Sequence, residues 1–171
     1  TKNLNIPDAQ ISEKRSLTVF ENELLSVKKN MIEQIVNGEY NLSCPEGFSL
    51  NLILMPVNNT YRLYINTGTS QNDVIPFGND YLFIADKSGK IQTWKKYHSR
   101  LIPAYTVLSG DEVVSISHSH LKTEPFISPT DICTFMLYGK LYDLSSFSVY
   151  SPYFSKYFTF YIDSNSIKIH E

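Results

Sequence analysis

The hydrophobic pattern of the first forty residues restricts most strongly how this chain can fold. Between residue 13 and about residue 37, apolar side chains recur at the three-and-four spacing of one helical face. The positions of this stripe are Leu17, Phe20, Leu24, Val27, Met31 and Ile35. The spacing predicts a long amphipathic helix, and Gly38 is expected to end it in the left-handed conformation that glycine tolerates.

The pattern after Gly38 changes to short runs rich in Tyr, Phe, Ile, Val and Thr, separated by Asn, Gly, Pro, Asp and Ser, which is typical of consecutive strands. We predict strands at 50–55, 61–66, 80–86, 90–94, 113–120, 145–150, 157–162 and 166–170. The short segment 87–89 predicts an antiparallel hairpin between two of them. A second helix is expected to open at Ser128 and to end near Gly139.

These elements, on a chain of 171 residues without an internal repeat or a linker, predict one domain over residues 13–171. We expect residues 1–12, which are polar, to form a flexible N-terminal segment. The predicted fold class is α/β (α+β): a long N-terminal helix and a mixed, mostly antiparallel sheet, with the second helix after the strand at 113–120.

Charge and hydropathy exclude two classes of partner. The formal net charge is −2 and no cluster of Lys or Arg appears, so nucleic acid is not an expected partner. No apolar run approaches the roughly 20 residues that a transmembrane helix needs. The chain opens on Thr1, which suits either export after removal of a signal peptide or a trimmed chain. Compartment and oligomeric state stay open.

Two cysteines, Cys44 and Cys133, are too few for a disulfide framework and lack the paired spacing of a thiolate zinc site. We expect both to be buried thiols, with a single bridge between them left open.

His118 and His120 lie two residues apart in a predicted strand. Alternate side chains of a strand point to the same face, so both imidazoles can reach one metal ion. After a loop, Ser128, Pro129 and Asp131 follow as a helix start, with an N-cap, a proline at the first position and an acid three residues after the cap. A capping box explains these three residues without a metal.

The combined pattern His-x-His-x7-Ser-x2-Asp over residues 118–131 resembles the core motif of the JAB1/MPN/Mov34 (JAMM) metallopeptidases. The resemblance implies that Zn²⁺ is bound by His118, His120 and Asp131, with the fourth tetrahedral position left for water. It also implies that Ser128 orients the oxyanion of a tetrahedral intermediate. One departure from the family is Leu121, which stands where a proline usually follows the second histidine.

The catalytic glutamate of the family, which lies on an earlier strand, has no clear counterpart, because residues 61–71 contain no Asp or Glu. Glu124 and Glu46 are the candidate general bases, although each is also explained as a solvent-exposed charge. His98 is expected to be a surface residue rather than an additional ligand.

Aromatic residues are abundant, with 12 Tyr and 10 Phe, and they are concentrated near the C-terminus. The densest group comprises Tyr150, Tyr153, Phe154, Tyr157, Phe158, Phe160 and Tyr161. Aromatic residues on short strands usually pack a sheet, so we interpret this group as core rather than as a ligand-binding surface.

Three functional hypotheses follow from the sequence. The first is a zinc-dependent peptidase or isopeptidase that hydrolyses an amide bond of a peptide or protein substrate. The second, suggested by the missing glutamate, is a catalytically inactive JAMM-like binding module. The third is an exported, aromatic-rich interaction domain in which the metal motif is accidental.

Overall fold

The computed structural model describes residues 13–38, 40–108 and 111–171. Its fold is of the α+β class, as predicted, with two α-helices and mostly antiparallel strands. The segment 1–12 that we expect to be flexible lies outside the described residues. No helix in the described ranges is long and apolar enough to cross a membrane.

The first helix, α1 (Val19–Asn37), begins later than the apolar stripe predicts because a capping box fixes its start. Thr18 Oγ1 accepts a hydrogen bond from the Glu21 amide at 3.2 Å, and the Glu21 carboxylate accepts one from the Thr18 amide at 2.7 Å. At the other end, Gly38 has φ −100° and ψ 171°, so the predicted left-handed termination is wrong.

The N-terminal four-stranded sheet has the order β1-β2-β4-β5 and is antiparallel throughout. Its strands are β1 (Ser49–Val57), β2 (Thr60–Gly68), β4 (Tyr81–Ala85) and β5 (Ile91–Lys96), and the hairpin between the last two is confirmed. Val27, Met31 and Ile35 of α1 pack on this sheet. They form one core cluster with Leu63, Ile65, Tyr81 and Phe83.

The C-terminal four-stranded sheet has the order β12-β11-β10-β9, in which only β9 and β10 are parallel. Its strands are β9 (Ile116–Ser119), β10 (Ser146–Ser151), β11 (Lys156–Tyr161) and β12 (Ser166–His170). Helix α2 (Pro129–Tyr138) and the 3₁₀ helix Gly139–Tyr142 precede β10. Phe135 of α2 and Phe147 of β10 anchor a second core cluster.

Two further pairs of strands were not predicted: β3 (Val74–Gly78) with β6 (Leu101–Tyr105), and β7 (Val107–Leu108) with β8 (Asp111–Glu112). In the first pair Pro76 lies opposite Pro103, and a proline weakens the sequence signal of a strand because it cannot donate a ladder hydrogen bond. The strand predicted at 113–120 is reduced to β9.

Two predictions about burial need correction. Both cysteines are exposed and free, rather than buried or bridged. In the C-terminal aromatic group, Phe158 and Phe160 belong to the interior as predicted, whereas Tyr153, Phe154 and Tyr157 are exposed. The reason is positional, because Tyr153 and Phe154 lie in the turn between β10 and β11 rather than on a sheet face.

Candidate metal centre

The two motif histidines converge as the strand geometry predicts. His118 lies on β9, and the chain continues in register because the His120 amide donates to the Tyr150 carbonyl at 2.9 Å. The Nε2 atoms of His118 and His120 are 3.2 Å apart. Both imidazoles therefore direct the same ring nitrogen towards one point.

Asp131 reaches that point from the first turn of α2, and the capping box holds it there. The Asp131 Oδ2 atom accepts hydrogen bonds from the Ser128 amide at 2.9 Å and from the Ser128 hydroxyl at 2.7 Å. The same carboxylate has Oδ1 3.3 Å from His118 Nε2 and Oδ2 3.1 Å from His120 Nε2. The Asp131 carboxylate is thus both the capping group of α2 and a candidate metal ligand, and the capping hydrogen bonds fix its direction.

His98 is a fourth member of the group, and the prediction that it is a surface residue is wrong. It follows β5 in the loop before β6 and is only 4% exposed. Its Nε2 atom lies 2.8 Å from His120 Nε2 and 3.4 Å from Asp131 Oδ1. No spacing pattern in the sequence indicates His98 as a ligand, because its approach depends on how the end of the β4–β5 hairpin meets β9.

The four side chains can hold a metal ion, since one ligand atom from each lies within 4.8 Å of all the others. A tetrahedral ion with ligand bonds of about 2.0–2.1 Å places its ligand atoms roughly 3.3 Å apart. The contacts between ring nitrogens are 2.8 Å and 3.2 Å, and those from ring nitrogens to the Asp131 oxygens are 3.1–3.4 Å. Five of the six pairs of residues therefore have donor atoms at about the edge length of such a tetrahedron.

The outer ring nitrogens fix the tautomers of two of these histidines. His98 Nδ1 lies 2.8 Å from Asp80 Oδ1, and His120 Nδ1 lies 3.1 Å from the Glu124 carbonyl oxygen. Both partners accept, so each Nδ1 can donate to its partner, and when both rings are neutral each Nε2 turns a lone pair towards the other. The repulsion between opposed lone pairs at 2.8 Å requires a positive charge between the two nitrogens, either a proton or a metal ion.

Burial strengthens that requirement. Asp131 Oδ1 is buried without a hydrogen-bond partner among the described residues, and so is His118 Nδ1. Burial opposes the charge of Asp131, but the adjacent His118 and His120 rings outweigh it and hold the pKa of that carboxyl well below its ordinary value. Burial also opposes protonation of His98, yet the bond to Asp80 leaves its pKa raised. The residues present fit a bound cation.

A second layer of hydrogen bonds supports the group. Asp80, which is 2% exposed and lies just before β4, accepts from Thr130 Oγ1 through its Oδ2 atom while Oδ1 faces His98. The Ser128 and Thr130 hydroxyls are 2.7 Å apart. Asp80 therefore links the His98 loop to the start of α2, which carries Asp131.

The remaining predicted site residues take other positions. The Glu124 carboxylate forms an ion pair with Lys95 at 2.8 Å, and it is the backbone carbonyl of Glu124 that contacts His120. Glu46 is exposed in the turn before β1 and is not part of the converging group. The Ser128 hydroxyl is buried and bonded to Asp131 and Thr130.

A cavity of about 340 Å³ gives access to the group. It is bordered by His98, His118 and His120, and by neighbours that include Tyr97 and Arg100. The cavity therefore borders three of the four candidate ligands, whose side chains are themselves 1–4% exposed.

Comparison of the chain with protein-family models, with curated proteins and with solved structures yields no significant match. The resemblance to JAMM metallopeptidases accordingly rests on residues 118–131 and on the convergence of His118, His120 and Asp131.

Proposed function

We propose that the chain is a zinc-binding domain of the JAMM type, in which His98, His118, His120 and Asp131 hold the ion. The observation that carries this proposal is the spacing of their donor atoms, which are 2.8–3.4 Å apart across the measured contacts. Nitrogen and carboxylate oxygen donors in a tetrahedral arrangement suit Zn²⁺.

The complete set of protein donors favours a structural role for the ion. A structural zinc site uses four protein ligands, whereas a catalytic site uses three and keeps one position open. His98 supplies the additional ligand here, at 2.8 Å from His120. The ion would then join the β5–β6 loop, β9 and α2, and the domain would act as a zinc-stabilised binding module.

The described acids beside the group, Asp80 and Glu124, are both engaged in other contacts, which supports the same conclusion. A general base must come within hydrogen-bond reach of the proton it removes. Asp80 has one oxygen on His98 and the other on Thr130, and the Glu124 carboxylate is paired with Lys95. Among the described residues near the group, neither of these acids is available as a base.

A zinc-dependent peptidase or isopeptidase is the second candidate, and the cavity beside His98, His118 and His120 favours it. When bound, a zinc ion would supply a Lewis acid and an activated water for hydrolysis of an amide. For this reaction the residues of the chain would have to position the amide in the cavity and accept a proton. Either His98 would have to leave the ion, or Asp80 would have to give up its hydrogen bonds to His98 and Thr130.

Metal analysis of protein purified without chelator tests the main proposal. We expect one equivalent of zinc in the wild type and none in His120→Ala, because His120 Nε2 lies 2.8–3.2 Å from ligand atoms of all three other residues and is the central donor of the group. His170→Ala is the matched control, since His170 is exposed at the end of β12. Less than about a tenth of an equivalent, without uptake on titration, would contradict the proposal.

A peptide library incubated with the zinc-loaded protein separates the two candidates. The binding-module proposal predicts no cleavage above the rate seen with His120→Ala. Cleavage that requires zinc and disappears in His120→Ala would establish the peptidase instead.

A further inference from the structure

Among the described residues that line the cavity beside the metal centre, Arg100 is the only one whose side chain carries a formal charge when the histidines are neutral. The other lining residues include Tyr97, Ser99, Ser119 and Leu121, and no acid is among them. Arg100 is exposed and forms no ion pair with any residue in the described ranges. Its guanidinium is therefore available to an external anion.

The backbone of Arg100 is held firmly in place. Its carbonyl accepts a hydrogen bond from the Asn79 amide at 3.0 Å, and the next residue, Leu101, pairs with Gly78. Gly78 has φ +75°, and a Cβ at that position would lie 2.3 Å from the Arg100 carbonyl oxygen. This close approach requires glycine, and it fixes the backbone of Arg100, one of the residues that line the cavity.

The charges around the cavity favour an anionic ligand. A divalent ion at the centre would be balanced by the carboxylates of Asp131 and Asp80, which leaves the positive charge of Arg100 without a partner. A guanidinium presents paired N–H donors that match a carboxylate in a bidentate geometry. A volume of about 340 Å³ is at the lower end for small-molecule sites, so it accommodates a ligand of one or two residues.

We propose that this cavity binds the carboxylate of an N-acylated amino acid or of a peptide C-terminus, with Arg100 as the anchor and the acyl group directed towards His98, His118 and His120. Only the orientation of the acyl group towards the metal centre rests on the proposed function. The carboxylate contact with Arg100 is independent of the ion.

Calorimetric titration with matched probes tests the inference. N-acetylalanine carries the carboxylate, N-acetylalaninamide lacks it, and N-acetyl-Ala-Ala represents a peptide C-terminus. We expect the acid to bind about tenfold more tightly than the amide, or better, because a hydrogen-bonded charge pair is lost in the amide. Stronger binding of N-acetyl-Ala-Ala than of N-acetylalanine would identify a peptide end as the source, and the reverse would identify a free acylated amino acid.

The variant Arg100→Gln should remove the preference for the acid, and Arg100→Lys should restore part of it because the charge returns without the bidentate geometry. Lys87→Gln, an exposed cation in the β4–β5 turn, is the control and should bind as the wild type does. Equal binding of acid and amide, or an unchanged preference in Arg100→Gln, would overturn the inference. Tighter binding of inorganic phosphate than of any carboxylate probe would overturn it as well.

Zinc content is measured in the same samples, so the two proposals can fail separately. If the protein takes up no zinc but still prefers the acid in a way that depends on Arg100, the Arg100 contact is supported and the metal centre is rejected. If the protein takes up zinc but shows no preference for the acid, the metal centre is supported and the Arg100 contact is rejected.

Discussion

His98 Nδ1 lies 2.8 Å from Asp80 Oδ1, and this contact connects two residues that the sequence places on different elements. Asp80 precedes β4, whereas His98 follows β5, so the pair closes the end of the hairpin that these strands form. A carboxylate on the outer nitrogen of a histidine orients the ring and makes the inner nitrogen a better ligand. The contact thus prepares His98 for a metal ion.

Replacement of Asp80 by Asn tests this relationship. We expect Asp80→Asn to lower zinc affinity about 10- to 100-fold, the range observed when such an outer partner is changed. Competition with a chromogenic chelator measures the change. Asp73→Asn is the matched control, because Asp73 is exposed and Asn tolerates its positive φ of 58°. An affinity equal to that of the wild type would show that Asp80 does not orient a ligand.

Removal of His98 distinguishes a four-ligand centre from the three-ligand centre implied by the motif. We expect His98→Ala to retain zinc with an affinity lowered at least about 100-fold, because His118, His120 and Asp131 still offer three donors. His120→Ala should retain none. If His98→Ala bound zinc as tightly as the wild type, His98 would not be a ligand, and the structural interpretation of the site would fail.

Chelation should lower the thermal stability of the domain. An ion that binds only the native state, at about a thousandfold excess over Kd, stabilises that state by about 4 kcal/mol. For a chain of this length the midpoint of unfolding should fall by roughly 10 °C when zinc is withdrawn. Differential scanning calorimetry with and without chelator measures the shift. The midpoint of His120→Ala should not respond, and a wild-type midpoint that is equally insensitive would contradict zinc binding.

The start of α1 should show a pH dependence that does not involve the metal centre. The Arg15 guanidinium and the Thr18 cap lower the pKa of Glu21 to about 2. Because this folded-state pKa is below the unfolded value, the capping contribution is present at neutral pH and is lost as pH falls through about 2. Carboxyl ¹³C NMR should follow this titration, and Arg15→Gln should move it to higher pH. A Glu21 midpoint above 4 would contradict the arrangement.

Two phenylalanines allow a matched test of the C-terminal core. Phe147 on β10 is 1% exposed, whereas Phe126 in the loop after His120 is 58% exposed. We expect Phe147→Ala to lower the free energy of unfolding by about 3–5 kcal/mol through loss of apolar burial and formation of a cavity. Phe126→Ala should cost less than about 1 kcal/mol. Chemical denaturation measures both, and equal losses would contradict the assigned core.

Local patterns in the sequence determined a large part of this structure. The apolar stripe predicts α1, although Thr18 and Glu21 set its first residue. The alternation of a strand places His118 and His120 on one face, and the signals of a helix start place Ser128 and Asp131 at the beginning of α2. These features follow from the sequence because the interactions that produce them extend over only a few residues.

Tertiary packing alone decided the rest of the site. His98 and His120 are 22 positions apart and follow strands of different sheets, β5 and β9, so no local periodicity relates them. Asp80 and Thr130 are 50 positions apart and meet only when α2 packs against β3, which Asp80 follows. Contacts of this kind depend on how preformed elements bury their apolar faces against each other, which the spacing of residues along the chain does not encode.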